Sequence, residues 1–536
     1  MQKLKLIFMN HYYLLTAIMM FLSFPSYDFI LLKFFPFFAW FSLVPLFMFN
    51  SGRSMRDVFF YSFIAGLAGN FLAYGWIGNF GAKVPGGYAV ILFFLIPSLT
   101  AFFVLKIVFA EMLSRRFPAV DFLIYPSIWI IGDFVQATGF LAFPWTYIGY
   151  SQYPFTPFIQ AASVTGILGI NFIMIMFNYV FAVRLKFLLE GGIRLRELFN
   201  GRSGKALAAV VIVFFLITAA GFYRISTFAG GTNKGMRFSV VQTCISPWDN
   251  WTGNRYSYLS ELMKYTREAL PSNPDFVIWS ESATLETLSF RAANNEDDLF
   301  DRQLLDFVRE IGVPVLTGEI GVTLKSDGGR LRLYPQNNAV LIHGNGSIAQ
   351  TYAKINLVPF GEWFPYEKWL TPVKQLAASM GGSDFVPGKR PELFTLDGFD
   401  FGALICYEGI FFRLCRDYKR MGADFLINIT NDGWTDTYNG HFQHFSASIF
   451  RAVENGLWLI RAGNTGASAI IDPAGRVTAS MPILKKGSFS GDIDVSLNRA
   501  TVYEKAGDVI LYIASLFISV IIVISFLRRR SEGGDA

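Results

Sequence analysis

Cysteine and histidine are scarce in this sequence of 536 residues, which contains three of the first and four of the second. Three cysteines are too few for the disulfide framework of a small secreted domain, although Cys244 and Cys415 could pair or stay reduced. His441 and His444 are three residues apart, but no HExxH pattern accompanies them, so we predict no metal site. The sequence also lacks a glycine-rich nucleotide fingerprint and internal repeats, which argues against dinucleotide-binding and solenoid folds, and we expect no cofactor.

Charged residues are few as well. They make up 16% of the chain, against 53% hydrophobic residues, whereas soluble domains average about 25% charged. The apolar excess lies in long runs toward the N-terminus and in one run near the C-terminus. Because a bilayer is crossed by roughly 20 apolar residues, these runs predict eight membrane spans, at 10–25, 28–50, 57–78, 87–113, 121–141, 158–183, 206–225 and 508–527. We expect the first run to be retained, because no small-x-small cleavage site follows it.

Lysine and arginine are distributed unequally between the loops that separate these runs. Six of them lie in the loop 184–205 and three arginines stand at 528–530, whereas the segment FPWTYIGYSQYPFTP has none. The positive-inside rule therefore predicts cytoplasmic termini and places residues 226–507 on the outer side. The same loops account for the net charge of +6, so we expect no nucleic-acid partner.

Residues 226–507 are patterned as a globular α/β domain. Ten short runs predict strands: MRFSVVQ, DFVIWSE, VPVLTGEI, NNAVLIHG, SIAQTYAK, FGALICYE, DFLINIT, LWLIRAGN, SAIIDP and SFSGDIDV. Helices are predicted at 255–270, 298–312, 411–422 and 444–456. Strand pairs without an intervening helix, mixed with strand–helix units, favour a layered α/β sandwich. The predicted domains are a seven-helix membrane domain at 1–225, the exported domain at 226–507, and an eighth transmembrane helix with a basic cytoplasmic tail at 508–536.

Three of the predicted strands end in residues able to carry out chemistry. VIWSE ends at Glu281, QTYAK ends at Lys354, and ALICYE reaches Cys406 near its end. A carboxylate can remove a thiol proton, a thiolate is the active nucleophile, and a nearby ammonium lowers the thiol pKa and can stabilise an oxyanion. Each residue also has an ordinary alternative, because strand cysteines mostly fill the core and charged residues at strand ends mostly face water. Periodicity alone does not bring the three together.

The motifs around these residues are similar to those of a known superfamily. WSES at 279–282, YAKINLVPFGEWFP at 352–365, ICYEGIF at 405–411 and the stretch 428–477 resemble the nitrilase (carbon–nitrogen hydrolase) superfamily. FPFFAWFSLVPLF at 35–47, YGWIGNFGAKVP at 74–85 and FPWTYIGYSQ at 143–152 resemble the membrane segments of its membrane-embedded branch, the apolipoprotein N-acyltransferases. The resemblance spans nearly the whole chain. It implies a nitrilase-like αββα sandwich for the exported domain, beside the eight-span helical membrane domain.

The resemblance also implies roles for individual residues. It assigns Glu281 as general base, Lys354 as oxyanion stabiliser and Cys406 as nucleophile. Supporting or substrate-positioning roles are implied for Glu362, Tyr407, Glu408, Trp251 and Asn337.

Two positions leave a choice or depart from the family pattern. Trp251 stands where the family has a functional tryptophan, nine residues after Gln242, but Trp248 is a rival for that role. Ser280 stands between Trp279 and Glu281, where the family usually has proline, which puts the local backbone geometry in doubt.

Two other features carry predictions. Residues 362–380 are rich in aromatic and apolar side chains, which predicts a mobile lid or membrane-dipping arm, the alternative being an ordinary surface loop and helix. Asp133 lies within a predicted span, where ionisable residues are functional candidates. It could instead lie near the outer end of that span, paired or hydrated, and we assign it no role.

As an expectation, the resemblance implies an enzyme of lipoprotein maturation. A phospholipid, with phosphatidylethanolamine the expected donor, would transfer an acyl chain to Cys406 as a thioester, and the N-terminal diacylglyceryl-cysteine of an apolipoprotein would accept it in a ping-pong reaction. The protein would be a monomer in the bacterial inner membrane with its catalytic domain on the periplasmic side. Two alternatives are a membrane-tethered amidase or nitrilase that uses water as acceptor and a transport or binding protein with an inactive outer domain.

Overall fold

The computed structural model describes residues 10–25, 35–83, 91–139, 142–145, 147–228, 230–232, 234–327, 330–359, 361–363, 384–434 and 437–532. The chain divides into two compact units. The first consists of Met1–Gly78, Tyr88–Ile225 and Lys505–Ala536, and the second of Asn79–Gly87 and Ser226–Glu504.

The first unit is helical. Its helices are α1 Leu15–Ser23, α2 Val44–Asn50, α3 Met55–Tyr74, α4 Ile96–Arg116, α5 Asp121–Gln136, α6 Thr156–Ile159, α7 Ala162–Leu189, α8 Gly201–Ser226 and, after the second unit, α15 Val509–Glu532. Among the described residues, five helices are long and apolar enough to cross a membrane: Met55–Asn79, Phe93–Arg116, Ala162–Leu189, Gly201–Ser226 and Val509–Arg528. Two shorter apolar helices, Tyr12–Ser23 and Pro36–Asn50, and α5 coincide with the other three predicted spans. The total of eight spans stays a prediction.

Asp133 lies in α5 and is completely buried in a polar cluster of the first unit. Its Oδ1 pairs with Lys106 Nζ at 2.7 Å, and its Oδ2 accepts a hydrogen bond from Asn171 Nδ2 at 2.7 Å. Tyr147 donates its hydroxyl to the Asp133 main-chain oxygen at 2.8 Å. Gly132 makes room for the lysine, because a Cβ there would lie 2.5 Å from Lys106 Cγ. Asp133 is therefore paired: its charge pair with Lys106 joins α5 to α4, and its hydrogen bond from Asn171 joins α5 to α7.

The second unit contains twelve strands among its described residues: β1 Arg237–Gln242, β2 Phe276–Ile278, β3 Val315–Asp327, β4 Arg330–Ile342, β5 Ile348–Ala353, β6 Leu393–Leu396, β7 Phe399–Ile405, β8 Phe425–Thr430, β9 Trp458–Gly463, β10 Ala469–Ile471, β11 Val477–Ser480 and β12 Gly487–Asp492. They form two six-stranded sheets, in the orders β12-β1-β2-β3-β4-β5 and β11-β10-β9-β8-β7-β6. Its helices are α9 Trp251–Ala269, α10 Leu288–Ala293, α11 Leu299–Ile311, α12 Phe412–Met421, α13 Tyr438–Asn455 and α14 Val502–Ala506.

The two sheets pack face to face and the helices cover their outer faces. Apolar side chains of both sheets, including Phe238 and Phe276 from one and Phe401 and Phe425 from the other, form the central core. A second cluster buries α9 and α11 against the outer face of the first sheet. Helix α12 lies on the second sheet, where Tyr418 donates its hydroxyl to the Ala403 main-chain oxygen at 2.9 Å. The result is a helix–sheet–sheet–helix sandwich. Each sheet buries one face against the other sheet and its opposite face against helices.

The ten strands predicted from the sequence are all present. Two strands were not predicted, β6 and β11. Strand β11 reads VTAS and is mostly exposed, so it carries no apolar alternation, and β6 has only four residues. The hairpin of β3 and β4 is much longer than predicted, because its outer half pairs through polar residues such as Lys325 with Arg332. The four predicted helices match α9, α11, α12 and α13, with α13 beginning six residues earlier at Tyr438.

Candidate active site

The three catalytic candidates predicted from the sequence, Glu281, Lys354 and Cys406, lie together at one edge of the sandwich. Glu281 follows β2, and Lys354 follows β5 in the same sheet, where both strands point in the same direction. Cys406 follows β7 in the opposite sheet. Because the carboxyl ends of these strands lie together, the side chains converge: Lys354 Nζ is 3.4 Å from Glu281 Oε1, and both charged groups lie near enough to the Cys406 thiol to interact with it electrostatically.

Lys354 lies between two carboxylates and is fully buried. Its ammonium donates to Glu362 Oε1 at 2.7 Å and approaches Glu281 Oε1. Asn337 bridges the same two acceptors, since its Nδ2 donates to Glu281 Oε1 at 2.8 Å and to Glu362 Oε1 at 2.9 Å. Burial lowers the pKa of Lys354, but Glu362 and Glu281 outweigh that effect and hold the pKa above its ordinary value. The lysine therefore remains charged.

Glu281 is buried beside a main-chain donor and the thiol. Its Oε2 accepts the Asn431 main-chain N–H at 2.8 Å, and the thiol of Cys406 is a further neighbour. Burial raises the pKa of Glu281, with Lys354 opposing that effect. Burial and the Glu281 charge raise the pKa of Cys406 well above its ordinary value, with Lys354 opposing. Both shifts favour the protonated forms of these two groups.

Ser280 does not displace Glu281 from this site. The preceding Trp279 is fully buried, its main-chain N–H bonds to Leu316 O at 2.9 Å, and its indole donates to Thr266 Oγ1 at 3.0 Å. These contacts fix the end of β2 with serine at position 280.

Cys406 occupies a strained turn. Its φ is 51°, in the left-handed region that non-glycine residues rarely adopt. It opens the 3₁₀ turn Cys406–Ile410, which begins where β7 ends at Ile405. A nucleophile on a sharp strand-to-helix turn presents its side chain to a substrate with little obstruction. The residue accordingly keeps some exposed surface, although Lys354 and Glu281 are buried.

Glu408 connects this turn to the segment that carries Lys354. It is completely buried, and its Oε2 accepts the Ile405 N–H at 2.9 Å. Its Oε1 accepts the N–H groups of Ile355 at 2.7 Å and Asn356 at 3.1 Å, and the Tyr352 hydroxyl at 2.8 Å. The carboxylate thus ties the residue before the cysteine to the two residues after the lysine.

The remaining sequence-predicted residues lie around this centre. Glu362 also accepts the Val358 N–H at 2.8 Å through Oε2, which closes the loop after Lys354. Tyr407 is buried and packs edge to face on Phe411, with ring centroids 5.2 Å apart. Of the predicted lid at 362–380, residues 364–380 lie outside the described residues.

The two rival tryptophans have different surroundings. Trp251 opens α9 and donates its indole N–H to Glu286 Oε1 at 3.3 Å. Trp248 packs edge to face on Trp434, with ring centroids 5.3 Å apart. The role of Trp251 stays a prediction.

Several polar residues at the site were not predicted from the sequence. Asn431 donates its main-chain N–H to Glu281, and Asn428, Asp432 and Arg461 form a buried cluster with His444 beside Cys406. The signal was available in the stretch NITNDGW, where a buried strand ends at Thr430 and is followed by Asn431 and Asp432. Among the residues that the structure describes, no group of three or more His, Cys, Asp or Glu side chains is arranged to hold a metal ion. Cys244 and Cys415 are unbridged.

Comparisons with known proteins match both units. Residues 237–503 match the carbon-nitrogen hydrolase family, and residues 16–180 match the apolipoprotein N-acyltransferase N-terminal domain. An apolipoprotein N-acyltransferase of Brucella melitensis is 32% identical over 425 residues, 76% of this chain and 74% of the relative. One of Geobacter metallireducens is 28% identical over 521 residues, 96% of this chain and 95% of the relative. Among solved structures, an amidase from Nesterenkonia sp. matches with a TM-score of 0.36 and 19% identity, covering 50% of this chain and 94% of the amidase.

Proposed function

Because this chain belongs to the apolipoprotein N-acyltransferase family, we propose that it moves a fatty acyl chain from a phospholipid, through a thioester on Cys406, to the α-amino group of an apolipoprotein's N-terminal diacylglyceryl-cysteine. The observation that carries this proposal is the convergence of Glu281, Lys354 and Cys406 at one edge of the sandwich. A buried base, a retained positive charge and a thiol on a strained turn are the parts that acyl transfer requires.

In the first half-reaction, Glu281 takes the thiol proton as the sulfur of Cys406 attacks the donor ester carbonyl. The carbonyl oxygen becomes negative, and the buried ammonium of Lys354 stabilises that charge. The tetrahedral species then collapses: the ester C–O bond breaks, and Glu281 returns the proton to the departing alkoxide. The products are an acyl thioester on Cys406 and a lysophospholipid.

In the second half-reaction, the acceptor amine attacks the thioester carbonyl. Glu281 removes a proton from the amine, and Lys354 again stabilises the oxyanion. The C–S bond breaks, an amide forms, and Glu281 passes the proton that it took from the amine to the sulfur of Cys406. Glu362 and Asn337 support this cycle by holding Lys354 and Glu281 in place, and Glu408 joins the two segments that carry Lys354 and Cys406.

The lipid donor fits a membrane protein, and five described helices are long enough to span a bilayer. The proposal includes eight spans, cytoplasmic termini, and the domains 1–225, 226–507 and 508–536 with the middle one on the periplasmic side. This orientation is supported by the basic residues of loop 184–205 and of the C-terminal tail. The same proposal includes phosphatidylethanolamine as the donor and action as a monomer. It also includes supporting or substrate-positioning roles for Trp251 and Tyr407, and a lid or membrane-dipping arm at 362–380.

Mass spectrometry of the full-length protein in detergent tests the first half-reaction. Incubation with phosphatidylethanolamine bearing a labelled acyl chain should add one acyl group to Cys406. Cys406→Ala should abolish the adduct, whereas Cys415→Ala, which changes another unbridged cysteine, should retain it. A folded wild-type protein without any adduct would overturn the proposal.

The second half-reaction separates the acyltransferase from a hydrolase. A diacylated lipopeptide added to the acyl-enzyme should discharge it and yield an N-acylated product. Discharge by water at the same rate with and without the lipopeptide would favour the amidase alternative.

A further inference from the structure

A buried polar cluster leads to the main chain of the nucleophile. It consists of Asn428, Asp432, His444 and Arg461, all of which are almost completely enclosed. Asn428 lies in β8, Arg461 lies in the neighbouring β9, and His444 lies in α13. The mechanism above uses none of these side chains.

Two members of the cluster converge on the carbonyl oxygen of Cys406. His444 Nε2 lies 3.2 Å from that oxygen, and Asn428 Nδ2 lies 3.3 Å from it. A carbonyl only accepts hydrogen bonds, so His444 carries a proton on Nε2 and donates it. Asn428 Nδ2 also donates to the Leu404 oxygen at 3.2 Å, which ties the same amide to the end of β7.

The other two members hold these donors in place. Arg461 Nη2 donates to Asp432 Oδ2 at 2.6 Å and lies 3.0 Å from His444 Nδ1, while its Nη1 donates to the amide oxygen of Asn428. Asp432 Oδ1 lies 2.8 Å from His444 Nδ1. Burial raises the pKa of Asp432, but the charges of His444 and Arg461 outweigh it and hold that pKa below its ordinary value. The Asp432–Arg461 pair thus contacts both donors directly.

The carbonyl that they hold belongs to the strained residue. Cys406 has a φ of 51°, and such a backbone persists only where its surroundings over-determine it. The peptide bond to Tyr407 is trans, so fixing the direction of the C=O also fixes the N–H of Tyr407, which points the opposite way. A main-chain N–H that follows a nucleophile is a common oxyanion donor.

We propose that His444 and Asn428 are positioning residues for acyl transfer: by holding the Cys406 carbonyl, they aim the Tyr407 N–H at the oxygen that becomes negative during attack. This inference rests on the proposed function, because it concerns the same oxyanion that Lys354 stabilises. Arg461 and Asp432 act one step further away by fixing the two donors.

A pair of amide substitutions at His444 tests the proposal in the full-length protein. In His444→Asn the amide nitrogen falls where Nδ1 was and can donate to Asp432 Oδ1, but the Cys406 oxygen is out of reach. In His444→Gln the amide nitrogen falls where Nε2 was and can still donate to it. The matched control is His441→Asn, one turn earlier in α13, where an equally buried histidine contacts Thr437 and Thr465.

The readout is the rate of thioester formation on Cys406 at saturating phosphatidylethanolamine, with its half-saturation concentration and the thermal unfolding midpoint measured alongside. For His444→Asn we expect the saturated rate to fall on the order of 10²-fold, since a misaimed group costs about that much, with an unchanged half-saturation concentration. His444→Gln should recover to within a few-fold of wild type, and His441→Asn should keep the wild-type rate.

Three results would overturn the positioning role: His444→Asn reacting as fast as His441→Asn, His444→Gln reacting no faster than His444→Asn, or a change confined to the half-saturation concentration. If His444→Asn does not fold, Asn428→Asp tests the other donor, because a carboxylate keeps the contact with Arg461 and loses the N–H. An unchanged rate in that variant overturns the role as well. A wild-type protein that forms no thioester refutes the proposed function itself, whereas a normal wild-type thioester with unaffected variants refutes only the positioning role.

Discussion

Replacing Glu408 by glutamine should destabilise the protein strongly although it changes only one oxygen to an NH₂ group. The carboxylate is completely buried and accepts four hydrogen bonds, three at Oε1 and one, from Ile405, at Oε2. Glutamine can keep its oxygen toward the three donors. Its NH₂ group then faces the Ile405 N–H, and two donors meet without an acceptor.

The magnitude follows from those contacts. A hydrogen bond to a charged group contributes about 1.5–3 kcal/mol and a neutral one about 0.5–1.5 kcal/mol, so each of the three retained bonds loses about 1 kcal/mol. The unsatisfied Ile405 N–H costs about 1–3 kcal/mol more. Burial opposes ionisation of Glu408 and raises its pKa, so an uncharged amide recovers part of that loss. We expect a net loss of about 3–5 kcal/mol.

Thermal unfolding of the full-length protein in detergent measures this change. At roughly 2–4 °C per kcal/mol for a domain of this size, the midpoint of Glu408→Gln should fall by about 6–20 °C. Thioester formation should slow as well, because the segments that carry Lys354 and Cys406 lose their common anchor. The control is Glu296→Gln at an exposed position, which should leave both values unchanged. A Glu408→Gln midpoint within about 2 °C of the wild type would refute the reasoning.

Three further outcomes are expected. The rate of thioester formation should fall as the pH drops through the pKa of Glu281, because the base has to be ionised. Burial raises this pKa, so a rate that stays level down to the ordinary glutamate pKa of about 4.3 would contradict the prediction. Asn337→Ala removes a hydrogen bond that lowers the Glu281 pKa, so it should slow thioester formation and move its pH profile to higher pH. The control variant Asn338→Ala should change neither the rate nor the pH profile. Asp133→Leu leaves the Lys106 ammonium buried without its partner, which should lower the free energy of unfolding by about 3–5 kcal/mol. Thermal unfolding in detergent measures this loss, and adding Lys106→Met should restore most of the lost stability. Equal unfolding midpoints for the single variant and the wild type would rule out a stabilising charge pair.

Much of the sandwich was predictable because its strands carry strong local signals. Strand β8 reads FLINIT and is buried throughout, and runs of this kind at the lengths of strands are recognisable without tertiary information. Strands β6 and β11 were missed because they are short or exposed at the edges of the second sheet. The outer half of β3 and β4 was missed for a related reason, since exposed polar residues pair there through the main chain.

The sequence by itself determined which residues could act, because Glu281, Lys354 and Cys406 each stand at the end of an apolar strand and their motifs resemble one superfamily. Only the tertiary structure decided that they meet. Glu281 and Lys354 come from one sheet and Cys406 from the other, so their distances depend on how the two sheets pack, which is a long-range property that no local pattern encodes. The same holds for the cluster of Asn428, Asp432, His444 and Arg461, whose members come from two strands, a helix and a connecting segment and meet only when these elements pack together.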